Sequence, residues 1–121
     1  MPNNEPPYSH AQITEALTGL PGWYHEDGTI RRVYQTDGWP TTLMLVNALG
    51  YCAEAADHHP DLAVSWGRVV VALSTHSAKG ITGKDFELAR KFDEIALWRP
   101  AAGGSLVGTT SKFVKSGAQP G

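Results

Sequence analysis

The sequence predicts an α+β domain with the element order αββαββα, a four-stranded antiparallel sheet with its helices packed on one face. Three observations predict it. Two strand-like segments flank Asp27-Gly28, the dipeptide that suits a type I′ hairpin turn. A second pair of alternating segments flanks Gly67, and three stretches with helical apolar spacing precede, separate and follow the two pairs. Hairpins interleaved with helices on one face make an α+β design rather than a parallel α/β one.

Ser9 and Gln12 form a capping-box signature, after which Ile13, Ala16, Leu17 and Leu20 recur at helical spacing. A first helix is expected from Ser9 to Thr18, with Gly19 as its stop. Trp23 to Glu26 and Thr29 to Thr36 are the strands of the first hairpin. Pro40 suits a first helical turn, and Leu43 to Ala53 is apolar at almost every position, with Asn47 and Gly50 the main interruptions. Such a helix needs burial on two sides, and a second subunit is the expected outer cover. Pro60 disfavours α geometry at His59, so the helix is expected to stop there.

Leu62, Val64 and Trp66 alternate, as do Val69, Val71 and Leu73, each set on one face of a strand. If the second strand continues to its end, His76 falls on the opposite face from the second set. Thr82-Gly-Lys-Asp85 reads as a capping-box variant, with Ile81 and Phe86 placed as a hydrophobic staple. Phe86, Ala89, Phe92, Asp93, Ala96 and Leu97 trace the stripe of a last helix, which Arg99-Pro100 ends. One domain over residues 1–98 is expected, followed by a Gly/Ser-rich tail over residues 99–121 that packs loosely or docks on a neighbour.

The 121 residues suffice for one core. With 41% hydrophobic and 18% charged residues the composition is that of a soluble globular protein. A net charge of −2 gives no global field for nucleic acid or an anionic membrane, and neither is expected as a partner. No apolar run approaches the roughly 20 residues that span a bilayer, and the polar, proline-rich start Met1 to Pro7 is unlike a secretory signal. A cytoplasmic location is the expectation. Cys52, the single cysteine, lies in the apolar helical pattern and reads as a buried structural thiol.

Chemistry is expected where Glu54-Ala-Ala-Asp57-His58-His59-Pro60-Asp61 and Ser74-Thr75-His76 meet, at a helix end and a strand end. Histidines suit proton transfer near neutrality because their ordinary pKa is about 6.5. Glu54 and His58, four residues apart, share one face of a helix, within reach of a hydrogen bond. The negative end of the helix favours imidazolium at His58 or His59. Three histidines and a carboxylate are also legitimate zinc ligands. Adjacent histidines diverge, however, and no His-x-x-x-His pair is present, so no metal site is expected. Asp85 reads as a helix-start residue satisfying backbone N–H groups, Asp61 as a turn residue, and His10 and His25 as surface.

The run Glu-x-x-Asp-His-His-Pro-Asp, the apolar alternation ending Ser-Thr-His, then Gly80-Ile81-Thr82 and Asp85, resembles the pterin-4a-carbinolamine dehydratases. The resemblance spans Leu20 to Ile95 and includes Gly22-Trp23. It implies conversion of a 4a-hydroxytetrahydrobiopterin to a quinonoid dihydropterin and water, in recycling of the pterin used by an aromatic amino-acid hydroxylase, with pterin as substrate and no cofactor. It also implies that His58, His59 and His76 line the site. His58 and His76 would be acid and base in either order, His59 would position substrate, and Glu54 would orient His58. Asp57, Ser74 and Thr75 would contact the pterin, and Trp23 would be either a wall for its ring or a core tryptophan. A homo-oligomer, a dimer or dimer of dimers, is implied. Leu43 and Leu45 stand where many members of the family carry aromatics. Vertebrate members of the family double as dimerisation cofactors of a homeodomain transcription factor. Dehydratase-like proteins of carboxysome gene clusters act as Rubisco assembly factors, which makes a carboxysome-associated chaperone of the Rubisco large subunit the alternative.

Overall fold

A computed structural model describes residues 5–108 and 111–115. In chain order the elements are α1 (His10–Leu17), β1 (Tyr24–Glu26), β2 (Thr29–Gln35), α2 (Trp39–Ala56), β3 (Asp61–Ser65), β4 (Arg68–Leu73), a 3-10 turn (His76–Ala78) and α3 (Gly83–Ala96). The four strands form one antiparallel sheet in the order β1-β2-β4-β3, which is the α+β arrangement the sequence predicts.

Local chemistry accounts for most boundaries. Ser9 and Gln12 close the capping box of α1 in both directions, and Thr82 and Asp85 do the same for α3. Asp27 and Gly28 both take positive φ, 50° and 72°, as a type I′ turn requires. Strand β2 alternates half-buried and buried residues, and β4 follows suit, so Ile30, Tyr34, Val69, Val71 and Leu73 present one apolar face to the helices. Leu45 and Leu49 of α2 and Phe86 and Phe92 of α3 cover that face, all with almost no exposure, and Cys52 is buried beside them.

One feature departs from the expectations. Helix α2 ends at Ala56, before His59, because Asp57 takes the left-handed conformation (φ 51°) and the N–H groups of Asp57 and His58 turn back to the carbonyl of Ala53. Met44 and Tyr51 on its outer side are 60% and 78% exposed. The described part of the tail contacts the domain. Ser111 Oγ donates to the Ala96 carbonyl at 2.5 Å, Lys115 N–H donates to the Gln35 carbonyl at 2.7 Å, and Val114 is buried in the same core. Residues 109–110 and 116–121 of the tail lie outside the described residues. Among the described residues no helix is long and apolar enough to cross a membrane.

Candidate active site

Three pieces of chain meet at the C-terminal end of α2. The left-handed turn at Asp57 throws His58 and His59 away from the helix, β4 runs out through Ser74 and Thr75 into the turn that begins at His76, and α3 starts nearby at Gly83. The pocket between them has a volume of about 370 Å³, within the usual range of roughly 300–1,000 Å³ for small-molecule sites. Its lining includes Asp57, His58, His59, Ser74, Thr75 and His76, together with Lys84 from α3. A larger apolar groove between α2 and α3, floored by Cys52, Leu88 and Ile95, shares Asp57, His58 and Lys84 with it.

The shortest side-chain contact at the pocket is between His58 Nε2 and Asp85 Oδ1, 2.6 Å apart, with the Asp85 side chain fully buried. On its other oxygen Asp85 accepts the Thr82 N–H at 2.9 Å and the Thr75 hydroxyl at 2.8 Å. Because Thr75 gives its only hydroxyl proton to Asp85, the 2.8 Å contact between the two threonines requires Thr82 to donate to Thr75. A carboxylate accepts only, so the geometry places a proton on His58 Nε2. Nδ1 then has no protein partner among the described residues.

This corrects the expected pairing of Glu54 with His58. Glu54 Oε1 instead meets His59 Nε2 at 2.8 Å, and Glu54 is 80% exposed. The i,i+4 argument assumed helix through His58, but the chain has already turned at Asp57. Asp85 does cap α3 as the sequence predicts, and its second oxygen also holds the imidazole. The capping box reveals the first role. Nothing local reveals the second, because His58 is 27 residues away. Lys84 is another lining residue that no sequence pattern singles out.

Trp23 is not in the pocket. It is 6% exposed, and its indole N–H donates to Asp93 Oδ2 at 3.0 Å. Asp93 also accepts the Tyr34 hydroxyl at 2.6 Å and faces Arg32 Nη1 at 3.5 Å. Burial, reinforced by the Asp93 charge and hydrogen bond, pushes the Tyr34 hydroxyl far above its ordinary range. Gly22 is explained by the same cluster: its φ is 91°, and a Cβ there would lie 2.6 Å from the Arg32 guanidinium. Within this chain the Gly22-Trp23 pair serves the core, the second of the two readings the sequence left open. His10 and His25 are both exposed, with ring centroids 5.9 Å apart. Among the described residues no three or more His, Cys, Asp or Glu side chains are grouped so as to hold a metal ion.

The family model for pterin 4 alpha carbinolamine dehydratase matches residues 6–95. The chain belongs to the pterin 4 alpha carbinolamine dehydratase family. A protein of Roseiflexus castenholzii named "Putative pterin-4-alpha-carbinolamine dehydratase" is 45% identical over 85 residues, covering 70% of this chain and 91% of that protein. One of the same name from Nocardia farcinica is 44% identical over 88 residues, covering 73% and 93%. A crystal structure of a "transcriptional coactivator/pterin dehydratase" from Brucella melitensis superposes with a TM-score of 0.68 at 32% identity, covering 72% of this chain and 95% of that one. The dehydratase family thus accounts for the fold, and its matched segment contains the whole histidine pocket.

Proposed function

We propose that this protein removes water from a 4a-hydroxytetrahydropterin, with His58 and His76 as the proton-transfer groups. The observation that carries the reading is the His58–Asp85 contact in a pocket that His59 and His76 also line. The dehydration breaks the bond from C4a to its hydroxyl and the N–H bond of a ring nitrogen, leaving quinonoid dihydropterin and one water. No electron acceptor is needed, so the pterin enters as substrate and no cofactor takes part.

His58, holding its proton on Nε2, offers Nδ1 to the ring N–H as the base. Asp85 favours the imidazolium that forms, as a buried carboxylate does for other catalytic imidazoles. His76, on the exposed turn, protonates the departing hydroxyl. His59, tied to Glu54, positions the substrate with Asp57, Ser74 and Thr75. The substrate would come from a hydroxylase that leaves oxygen on C4a of its pterin.

The exposed outer side of α2, including Leu43, Met44 and Tyr51, is where we place the contact with further copies of the chain. An apolar helix solvated along one side is the feature that favours a homo-oligomer.

The deciding experiment follows decay of freshly generated 4a-hydroxytetrahydropterin by ultraviolet absorbance, with and without the protein. Catalytic acceleration is expected, and His76→Ala should abolish it while leaving folding within about 0.5 kcal/mol, since His76 is exposed. A folded wild-type protein that does not accelerate the decay would remove the proposed activity. Binding to the Rubisco large subunit would be the next assay.

A further inference from the structure

The segment ahead of α1 is held against the start of α3. Glu5 Oε1 accepts the backbone N–H of Gly83 at 2.5 Å. Gly83 is the first residue of α3, where N–H groups lack partners within the helix and a carboxylate is favourable. Tyr8 N–H donates to the Ile81 carbonyl at 2.7 Å, and its ring stacks on Phe86 with centroids 5.6 Å apart and planes 19° from parallel. Pro7 lies so close to Gly80 that a Cβ built there would be 2.8 Å from the proline Cβ.

These contacts fall on both sides of Asp85 in sequence, at residues 80–83 and at Phe86. Gly80 in turn is bridged to Thr75, with Thr75 N–H donating to the Gly80 carbonyl at 2.7 Å, one residue before His76. The segment therefore bears on both pieces of chain that bring Asp85 and His76 to the pocket. Asp85 reaches His58 from the first turn of α3, and that turn frays unless its amides are satisfied. Glu5 itself lies one residue before the stretch matched by the family model.

We infer that Glu5–Tyr8 is a strap that sets the His58–Asp85 geometry, with Glu5 as its positioning residue. The consequence for turnover rests on the proposed dehydration, whereas the geometric claim does not.

The test uses the full chain as wild type, Glu5→Ala, Glu5→Gln and Gly80→Ala. Two quantities are read: the NMR resonance of the His58 Nε2 proton, and kcat and KM for 4a-hydroxytetrahydropterin. Glu5→Ala should broaden or abolish the resonance and lower kcat about tenfold with KM changed less than about twofold, the pattern of misplaced groups rather than lost binding. Glu5→Gln should restore both, since its amide oxygen still accepts the Gly83 N–H. Gly80→Ala crowds Pro7 and should reproduce the Glu5→Ala effects without touching the carboxylate. If folded Glu5→Ala and Gly80→Ala proteins keep the resonance and kcat of wild type, or lose only thermal stability, the strap is overturned. Should Glu5→Ala fail to fold, Gly80→Ala alone decides. If the wild type shows no dehydration, the resonance still decides the strap, and the failure belongs to the proposed reaction.

Discussion

His58 Nε2 lies 2.6 Å from Asp85 Oδ1, on a carboxylate that solvent does not reach and that also takes the Thr82 N–H and the Thr75 hydroxyl. The imidazole is thereby fixed in tautomer and direction by residues from a strand end and a helix start. A hydrogen bond to a charged group contributes about 1.5–3 kcal/mol, so the pair also ties the C-terminal end of α2 to α3.

Asp85→Asn tests the tautomer assignment. The amide oxygen can still accept from the Thr82 N–H, so the fold should survive with a loss of about 1–2 kcal/mol. With its NH2 turned to His58, the asparagine favours the proton on Nδ1, and kcat should fall about 100-fold or more. Imidazole nitrogen shifts in the variant would report the switched tautomer. Wild-type turnover from Asp85→Asn would contradict the role given to His58 Nδ1.

Glu54→Gln should do little. The Glu54–His59 pair is exposed, and such pairs contribute about 0.2–1 kcal/mol. Any change should appear in KM, because the role proposed for His59 is to position substrate rather than to transfer protons. A loss of kcat comparable to that of Asp85→Asn would return Glu54 to the orienting role that the family resemblance implied.

Tyr34→Phe should alter stability at alkaline pH. Burial and Asp93 hold the Tyr34 proton far above its ordinary pKa of 10.0. Above pH 10 the unfolded chain releases this proton and the folded chain keeps it, so the native state binds more protons and stability falls as pH rises. The phenylalanine variant should lose about 1 kcal/mol near neutrality, where Asp93 loses a donor, and decline less steeply above pH 10. Urea midpoints measured on both sides of that pH check it, and equal slopes for the two proteins would exclude Tyr34 as the source.

Met44→Lys addresses the outer side of α2. If copies of the chain meet there, the charge should dissociate the assembly to a species near 13.0 kDa by sedimentation velocity, without unfolding it. A wild-type protein that already sediments as a monomer would refute the proposed contact.

The elements were legible because their signals are local. Ser9 with Gln12 and Thr82 with Asp85 mark helix starts within four residues, Asp27-Gly28 marks a turn, and Val69, Val71 and Leu73 mark a strand face. The pocket's histidines were legible as well, since His58, His59 and His76 stand at ends of elements that the same patterns delimit.

What the sequence determined by itself is the order of elements, the antiparallel sheet and the identity of the histidine cluster, all consequences of backbone preferences and side-chain periodicity over a few residues. The tertiary structure alone decided which carboxylate serves which histidine, that Trp23 belongs with Asp93 in the core, and that Glu5 reaches Gly83. Those contacts join residues as many as 78 positions apart. A single left-handed residue, Asp57, was enough to move His58 from Glu54 to Asp85, because one backbone dihedral redirects every side chain that follows it.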